Sequence, residues 1–126
     1  MPIAVGMAIA SKINKNKKHF FVVCGDGEIN EGSIWEALLS ASKHKLDNLT
    51  LLIYYNKLQS YGKTNEILDL EPLTDKFKSF NFKTFNVNGH DINEIESTLD
   101  RTLKTKKKPS VIICHTVKGK GISVAE

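Results

Sequence analysis

Cysteine is scarce in this chain of 126 residues: there are two, Cys24 and Cys114, and each closes a short apolar run. That scarcity excludes a disulfide-dense secreted scaffold, and the pair reads as buried small hydrophobes, neither a disulfide nor a metal site. A cytoplasmic location is the expectation. Long apolar runs are also missing. No segment approaches the roughly 20 residues that span a bilayer, so no membrane association is expected. Ile3 to Ala10 is apolar and Ala8-Ile9-Ala10 mimics a cleavage site, but the lysines follow this run where a signal peptide has them in front. Aromatic residues are absent from the two lysine runs, Lys15-Asn16-Lys17-Lys18 and Lys104-Thr105-Lys106-Lys107-Lys108, which carry much of the excess of 18 basic over 14 acidic residues. With no rings to stack on bases, both runs read as solvated connections, and no nucleic-acid partner is expected.

What is present is the balance of one globular core. At 40% hydrophobic and 25% charged residues the chain can fill a single domain over residues 1–126 and is too short for two. Helical and extended patterns alternate. A helix is expected from Pro2 to Asn14 with Ile3, Met7, Ala10 and Ile13 as its buried stripe. It starts without a cap or a leading strand, so the chain reads as part of a longer domain. Phe20-Phe21-Val22-Val23-Cys24 has no polar alternation and reads as a strand covered on both faces, the habit of parallel sheets flanked by helices. A second helix begins near Ser33 and ends near Lys45, burying Ile34, Leu38 and Ala41 with Trp35 and Leu39. Leu49 to Tyr55 is the next strand, and a long loop runs from Lys57 to Pro72. A short helix carries Leu73, Phe77 and Phe80, and a strand runs from about Phe82 to Val87. Asp91 and Glu94 form a capping-box pattern ahead of a helix with the stripe Ile92, Ile95, Leu99 and Leu103. Ser110 to His115 is the last strand, and it empties into Lys118-Gly119-Lys120-Gly121. The order implies an α/β fold, a parallel sheet flanked by helices with right-handed connections.

Ligands of such sheets collect at the carboxyl ends of the strands. There Gly25-Asp26-Gly27 stands, small residues bracketing a carboxylate read as facing outward, where backbone N–H groups approach an anion. A helix dipole contributes roughly 0.3 to 1 kcal/mol, whereas micromolar binding needs about 8. A bridging cation would supply much of the difference. The dinucleotide fingerprint G-x-G-x-x-G fails because Asn30 stands where its last glycine belongs, and Gly62-Lys63-Thr64 fails as a P-loop because Lys57 stands where its first glycine belongs. Asn56, 30 residues after Asp26 at the end of the neighbouring strand, completes a metal-diphosphate clamp. Mg²⁺ takes six oxygens and commonly one or two carboxylates with substrate phosphates. Asp26 offers a charged oxygen, Asn56 an amide oxygen, and a backbone carbonyl just beyond it a third.

Gly25-Asp26-Gly27-Glu28 with Asn56-Lys57-Leu58 resembles the thiamine-diphosphate-binding motif. Glu31-Gly32-Ser33-Ile34-Trp35-Glu36-Ala37 and Lys118-Gly119-Lys120-Gly121 add a resemblance to the N-terminal domain of the transketolases that runs along nearly all of the chain. The resemblance implies a partial thiamine-diphosphate-binding domain with thiamine diphosphate and Mg²⁺ as cofactors. It implies metal ligation by the side chains of Asp26 and Asn56 and the carbonyl of Leu58. Gly25, Asp26, Gly27, Asn56 and Lys118 would be cofactor-binding, with Glu31 at a dimer interface. It assigns no catalytic residue here, because the family's aminopyrimidine-activating glutamate and substrate histidines lie in other segments. The activity implied is transfer of a two-carbon ketol unit between sugar phosphates, in a homodimer or with a pyrimidine-binding domain or subunit. Two alternatives stand beside it: another thiamine enzyme, such as a 2-oxo acid dehydrogenase component or a deoxyxylulose-phosphate synthase, and a truncated, non-catalytic partner-binding module. Glu28 and Glu36 read as surface or capping groups, His19 and His44 as surface residues, and His90 as a turn residue. His115, at a strand exit, is the histidine placed to meet a ligand, with a structural role open beside that reading.

Overall fold

The computed structural model describes residues 1–126. Helix α1 (Pro2–Ile13) leads into β1 (Phe20–Gly25), and a single 3₁₀ turn (Glu28–Asn30) opens α2 (Gly32–Lys43). Strand β2 (Leu49–Tyr55) is followed by the two-residue strands β3 (Leu58–Gln59) and β4 (Gly62–Lys63) and the short helices α3 (Thr64–Ile67) and α4 (Leu73–Ser79). Strand β5 (Lys83–Asn88), α5 (Ile92–Lys104) and β6 (Ser110–His115) complete the order. The segment after β2 is therefore an antiparallel hairpin and a helical turn, where the sequence reads as one long loop.

Four strands form one parallel sheet in the order β1-β2-β6-β5. The chain crosses from β1 to β2 through α2, and in the opposite direction from β5 to β6 through α5. Right-handed crossings therefore put the two helices on opposite faces. The packing agrees. Val5 and Ala8 of α1, Ile34, Leu38 and Ala41 of α2, and Leu73 and Phe77 of α4 join Leu51, Ile53, Val111 and Ile113 in one cluster. On the other face Ile95 and Leu99 of α5 pack on Phe85, Val87 and Ile112. The first cluster holds 19 buried residues and the second 3, so at roughly 1.5 to 3 kcal/mol per large side chain the first holds the domain together.

Several expected faces turn out otherwise. Strand β1 is at the sheet edge, and α5 lies over β5 and β6, so Phe21 is 48% and Val23 69% exposed instead of covered. Helix α1 buries Val5, Ala8 and Ser11, the residues small enough for close approach to α2 and β1, and turns Ile3, Met7, Ala10 and Ile13 outward. In α2 Ala37 is buried and Leu39 exposed. In α5 the buried positions are Thr98 and Thr102, the latter with its hydroxyl donating to the Leu99 carbonyl, while Ile92 and Leu103 are exposed. Asp91 caps α5 by accepting from Asn93 and Glu94 N–H, but Glu94 closes no capping box, since its carboxylate accepts from Asn88 N–H at 2.9 Å.

Candidate functional site

The parallel register carries three exits to one edge: Gly25 lies beside Tyr54, and Tyr55 beside His115. Asp26 follows β1 directly, and here the structure corrects the sequence expectation. Its carboxylate does not face outward; the residue is 3% exposed. Oδ1 accepts from Gly27 N–H at 2.8 Å, and Oδ2 accepts from Asn56 N–H at 3.1 Å and Lys57 N–H at 2.7 Å. Asp26 thus pins the exit of β2 to the exit of β1. Charged hydrogen bonds contribute about 1.5 to 3 kcal/mol each, which offsets the several kcal/mol that burying a carboxylate costs. Lys57, pulled in by this contact, sits at φ +63° and also accepts from Thr64 N–H at 3.0 Å. Left-handed backbone costs a side-chain-bearing residue about 1 to 2 kcal/mol, and the Asp26 bond holds it there.

No ion pair reaches Asp26. An ionised carboxylate has about four acceptor positions, and three are taken, so Oδ1 retains one. Asn56 Oδ1 accepts from Leu58 N–H at 2.8 Å and also keeps a lone pair. Gly25 is open, with nothing within 4 Å of where a side chain would start. Gly27 is the reverse: a Cβ there would stand 3.1 Å from Gln59. Chain reversal in the hairpin brings Gln59 onto the glycine turn, a contact for which the sequence gives no periodic signal.

Beside Asn56 and Leu58 opens a cavity of about 610 Å³, also lined by Tyr55, Lys57, Lys63 and Glu71. Tyr55 donates its hydroxyl to Glu71 at 2.7 Å, and Glu71 also accepts from Leu73 N–H at 2.8 Å. The Leu73 N–H, with the Tyr55 hydroxyl, holds Glu71 below the usual carboxylate range. Burial, reinforced by Glu71, pushes the Tyr55 phenol well above its usual range. This carboxylate therefore stays ionised on the cavity wall, a role that composition and spacing do not reveal.

The remaining sequence candidates fall at the third exit or away from the site. Lys118 lies past the end of β6, exposed and without an ion pair. His115 is exposed and shares a 3.0 Å hydrogen bond with Asn86. His90 does hold a turn, accepting from Val117 N–H at 2.8 Å. His19 is not simply a surface group: it is half-buried, bonded to Thr50 at 2.9 Å and set against Phe21. Burial pushes the Cys24 thiol up to about 11 and raises Cys114 as well, so both stay protonated and apolar in character at neutral pH. No helix is long and apolar enough to cross a membrane.

A parallel sheet with helices on both faces, its adjacent strand exits joined through a buried carboxylate, defines a doubly wound α/β domain, the class in which ligands gather at the strand exits. The chain belongs to the transketolase family: the family profile described as "Transketolase, thiamine diphosphate binding domain" matches residues 3–126. Over all 126 residues it is 44% identical to one of the subunits of the apulose-4-phosphate transketolase of Actinobacillus succinogenes. It is 42% identical over 123 residues, 98% of its length, to the SqwG chain of the 6-deoxy-6-sulfo-D-fructose transketolase of Clostridium sp. MSTE9, also named as a subunit. The chain spans 45% of the length of each of these relatives. Among solved structures, the transketolase of Campylobacter jejuni superposes with a TM-score of 0.85 at 32% identity, covering 90% of this chain and 19% of that one.

Proposed function

We propose that this chain is the diphosphate-binding part of a transketolase that moves a two-carbon ketol unit from a ketose phosphate to an aldose, with Mg²⁺ and thiamine diphosphate as cofactors. The observation that carries the reading is Asp26: a buried carboxylate, without a cationic partner, that keeps an acceptor position and is bonded to the backbone of Asn56, whose amide oxygen keeps another. No three His, Cys, Asp or Glu side chains stand together. An all-oxygen set from Asp26, Asn56 and the Leu58 carbonyl suits a hard cation that takes its other ligands from a diphosphate and water. The donor set therefore fits the cofactor pair. When bound, thiamine diphosphate supplies the carbanion chemistry. The chain's own part is to hold and orient: Asp26 and Asn56 would fix the metal end, open Gly25 would let the backbone approach, and Gln59 of the hairpin packs against the Gly27 turn.

Two relatives are named for substrates that carry a phosphate or a sulfo group. Lys118, a flexible ammonium at a strand exit, suits such an anion as a point charge. Both are also named as subunits, which supports pairing with a chain that carries the pyrimidine-binding half, or with a second copy of the assembly. Calorimetric titration of thiamine diphosphate with and without Mg²⁺, on the wild type and Asn56→Ala, tests the clamp. Mg²⁺-dependent binding, weakened in the variant, is expected; affinity indifferent to both would remove the assignment. Lys118→Ala is expected to raise KM for the sugar phosphate or to weaken cofactor binding, leaving kcat in place. A ketol-transfer assay should read zero on this chain alone and gain turnover only when the missing segments, those with the substrate histidines as well as the pyrimidine-binding half, are supplied, since holding one end of a cofactor stabilises no transition state.

A further inference from the structure

The glycine turn has few hydrogen-bond donors left for a ligand. Asp26 N–H donates to the Tyr54 carbonyl, Ile29 N–H to the Asp26 carbonyl, and Asn30 N–H to the Gly27 carbonyl. Gly27 N–H is held by Asp26 Oδ1. Glu28 N–H has no acceptor within the protein, and beside the turn a side-chain donor is unused as well. Gln59 lies across Gly27, close enough that a Cβ at this glycine would meet its Cβ and Oε1 at 3.1 Å, and its Nε2 is buried with no acceptor. A carboxamide nitrogen carries two hydrogens, and buried polar groups without a partner are uncommon enough that each calls for an explanation.

We infer, resting on the cofactor reading above, that Gln59 is the neutral donor that takes a diphosphate oxygen at the Gly27 turn. A neutral amide suits the position, because Mg²⁺ already offsets much of the diphosphate charge and the hydrogen bond is what remains to be supplied. Strands β3 and β4 pair over two residues each, too short a ladder to be rigid by itself. A slight lift of the hairpin turns Nε2 to the ligand.

The variant that isolates the donor is Gln59→Met, which keeps the packing on Gly27 and removes the amide. In the assembled protein with Mg²⁺, calorimetry should show about tenfold weaker binding of thiamine diphosphate and of inorganic pyrophosphate. Binding of thiamine, which lacks the diphosphate, should be unchanged. The ligand-free variant should melt at the wild-type temperature or above it, since an unsatisfied donor has gone. Wild-type affinity in Gln59→Met, alongside weakened binding in Asn56→Ala, would overturn this inference and leave the cofactor reading standing. A lower melting temperature with weakened binding would show a packing residue and overturn it as well. If wild type binds neither diphosphate, both readings fall together.

Discussion

At the residue scale Asp26 carries two loads, and they separate by substitution. Asp26→Ala strands the N–H groups of Gly27, Asn56 and Lys57. At about 1 to 3 kcal/mol per buried group left unsatisfied, partly relieved by relaxation, a loss of roughly 2 to 4 kcal/mol is expected in urea unfolding, along with loss of Mg²⁺-dependent cofactor binding. A variant that binds nothing but unfolds like wild type would mean that the exits are joined by something else. Acid stability is also set by single groups. Burial lowers His19 from its usual 6.5, against a smaller upward pull from Asp47. The unfolded chain therefore takes up this proton first, and stability that is complete above about pH 6.5 is lost as pH falls through the lower folded value. Glu71, lowered from 4.5 by the Leu73 N–H and the Tyr55 hydroxyl, acts with the same sign below that pH. So does Asp47, where burial opposes ionisation but the Lys12 ammonium and Lys107 N–H outweigh it. Melting temperature against pH should therefore fall in two stages, and His19→Gln should flatten the upper one; a single stage below pH 4.5 in wild type would remove His19 from the account.

At the element scale, the interior strands and the main buried residues of α2 and α4 were legible, whereas the open face of β1, the β3–β4 hairpin and the face of α1 were not. Leu49–Tyr55 and Ser110–His115 are largely apolar because they are interior strands, and their bounds follow from composition. Helix α1 is apolar nearly all round, so periodicity names a stripe without saying which side meets the sheet; the small side, Val5, Ala8 and Ser11, won because it allows the closer approach. Asp26 and Asn56 were legible by their spacing, since parallel neighbours must end together. Gln59 and Glu71 were not, as their contacts depend on how the segment after β2 folds back. Gly89, at the exit of β5, has no left-handed backbone to explain it, yet a Cβ there would clash with Thr116 Cγ2 and stand 3.1 Å from the His115 carbonyl. Gly89→Ala should cost about 1 to 3 kcal/mol through overpacking; a neutral result in thermal melts would show that the exit of β6 can yield.

At the scale of the whole molecule, the sheet is covered completely on one face and in part on the other. Phe21, Val23 and Tyr54 stand exposed on β1 and β2 beside the α5 side, and contiguous apolar surface of this kind promotes association. Sedimentation of this chain should show concentration-dependent assembly, which Phe21→Ser with Val23→Thr reduces; a monomer at all concentrations would show the patch to be inert. The strand order has a further result, for synthesis. The ribosome delivers β1, β2 and β5 before β6, yet β6 is the strand on which both β2 and β5 hydrogen-bond. Until residue 115 emerges, β5 has no partner and the inner edge of β2 is unpaired, the kind of surface that chaperones protect. Closure of the sheet thereby waits on β6, and a codon-level pause ahead of Ser110 would prolong the interval in which those edges are open.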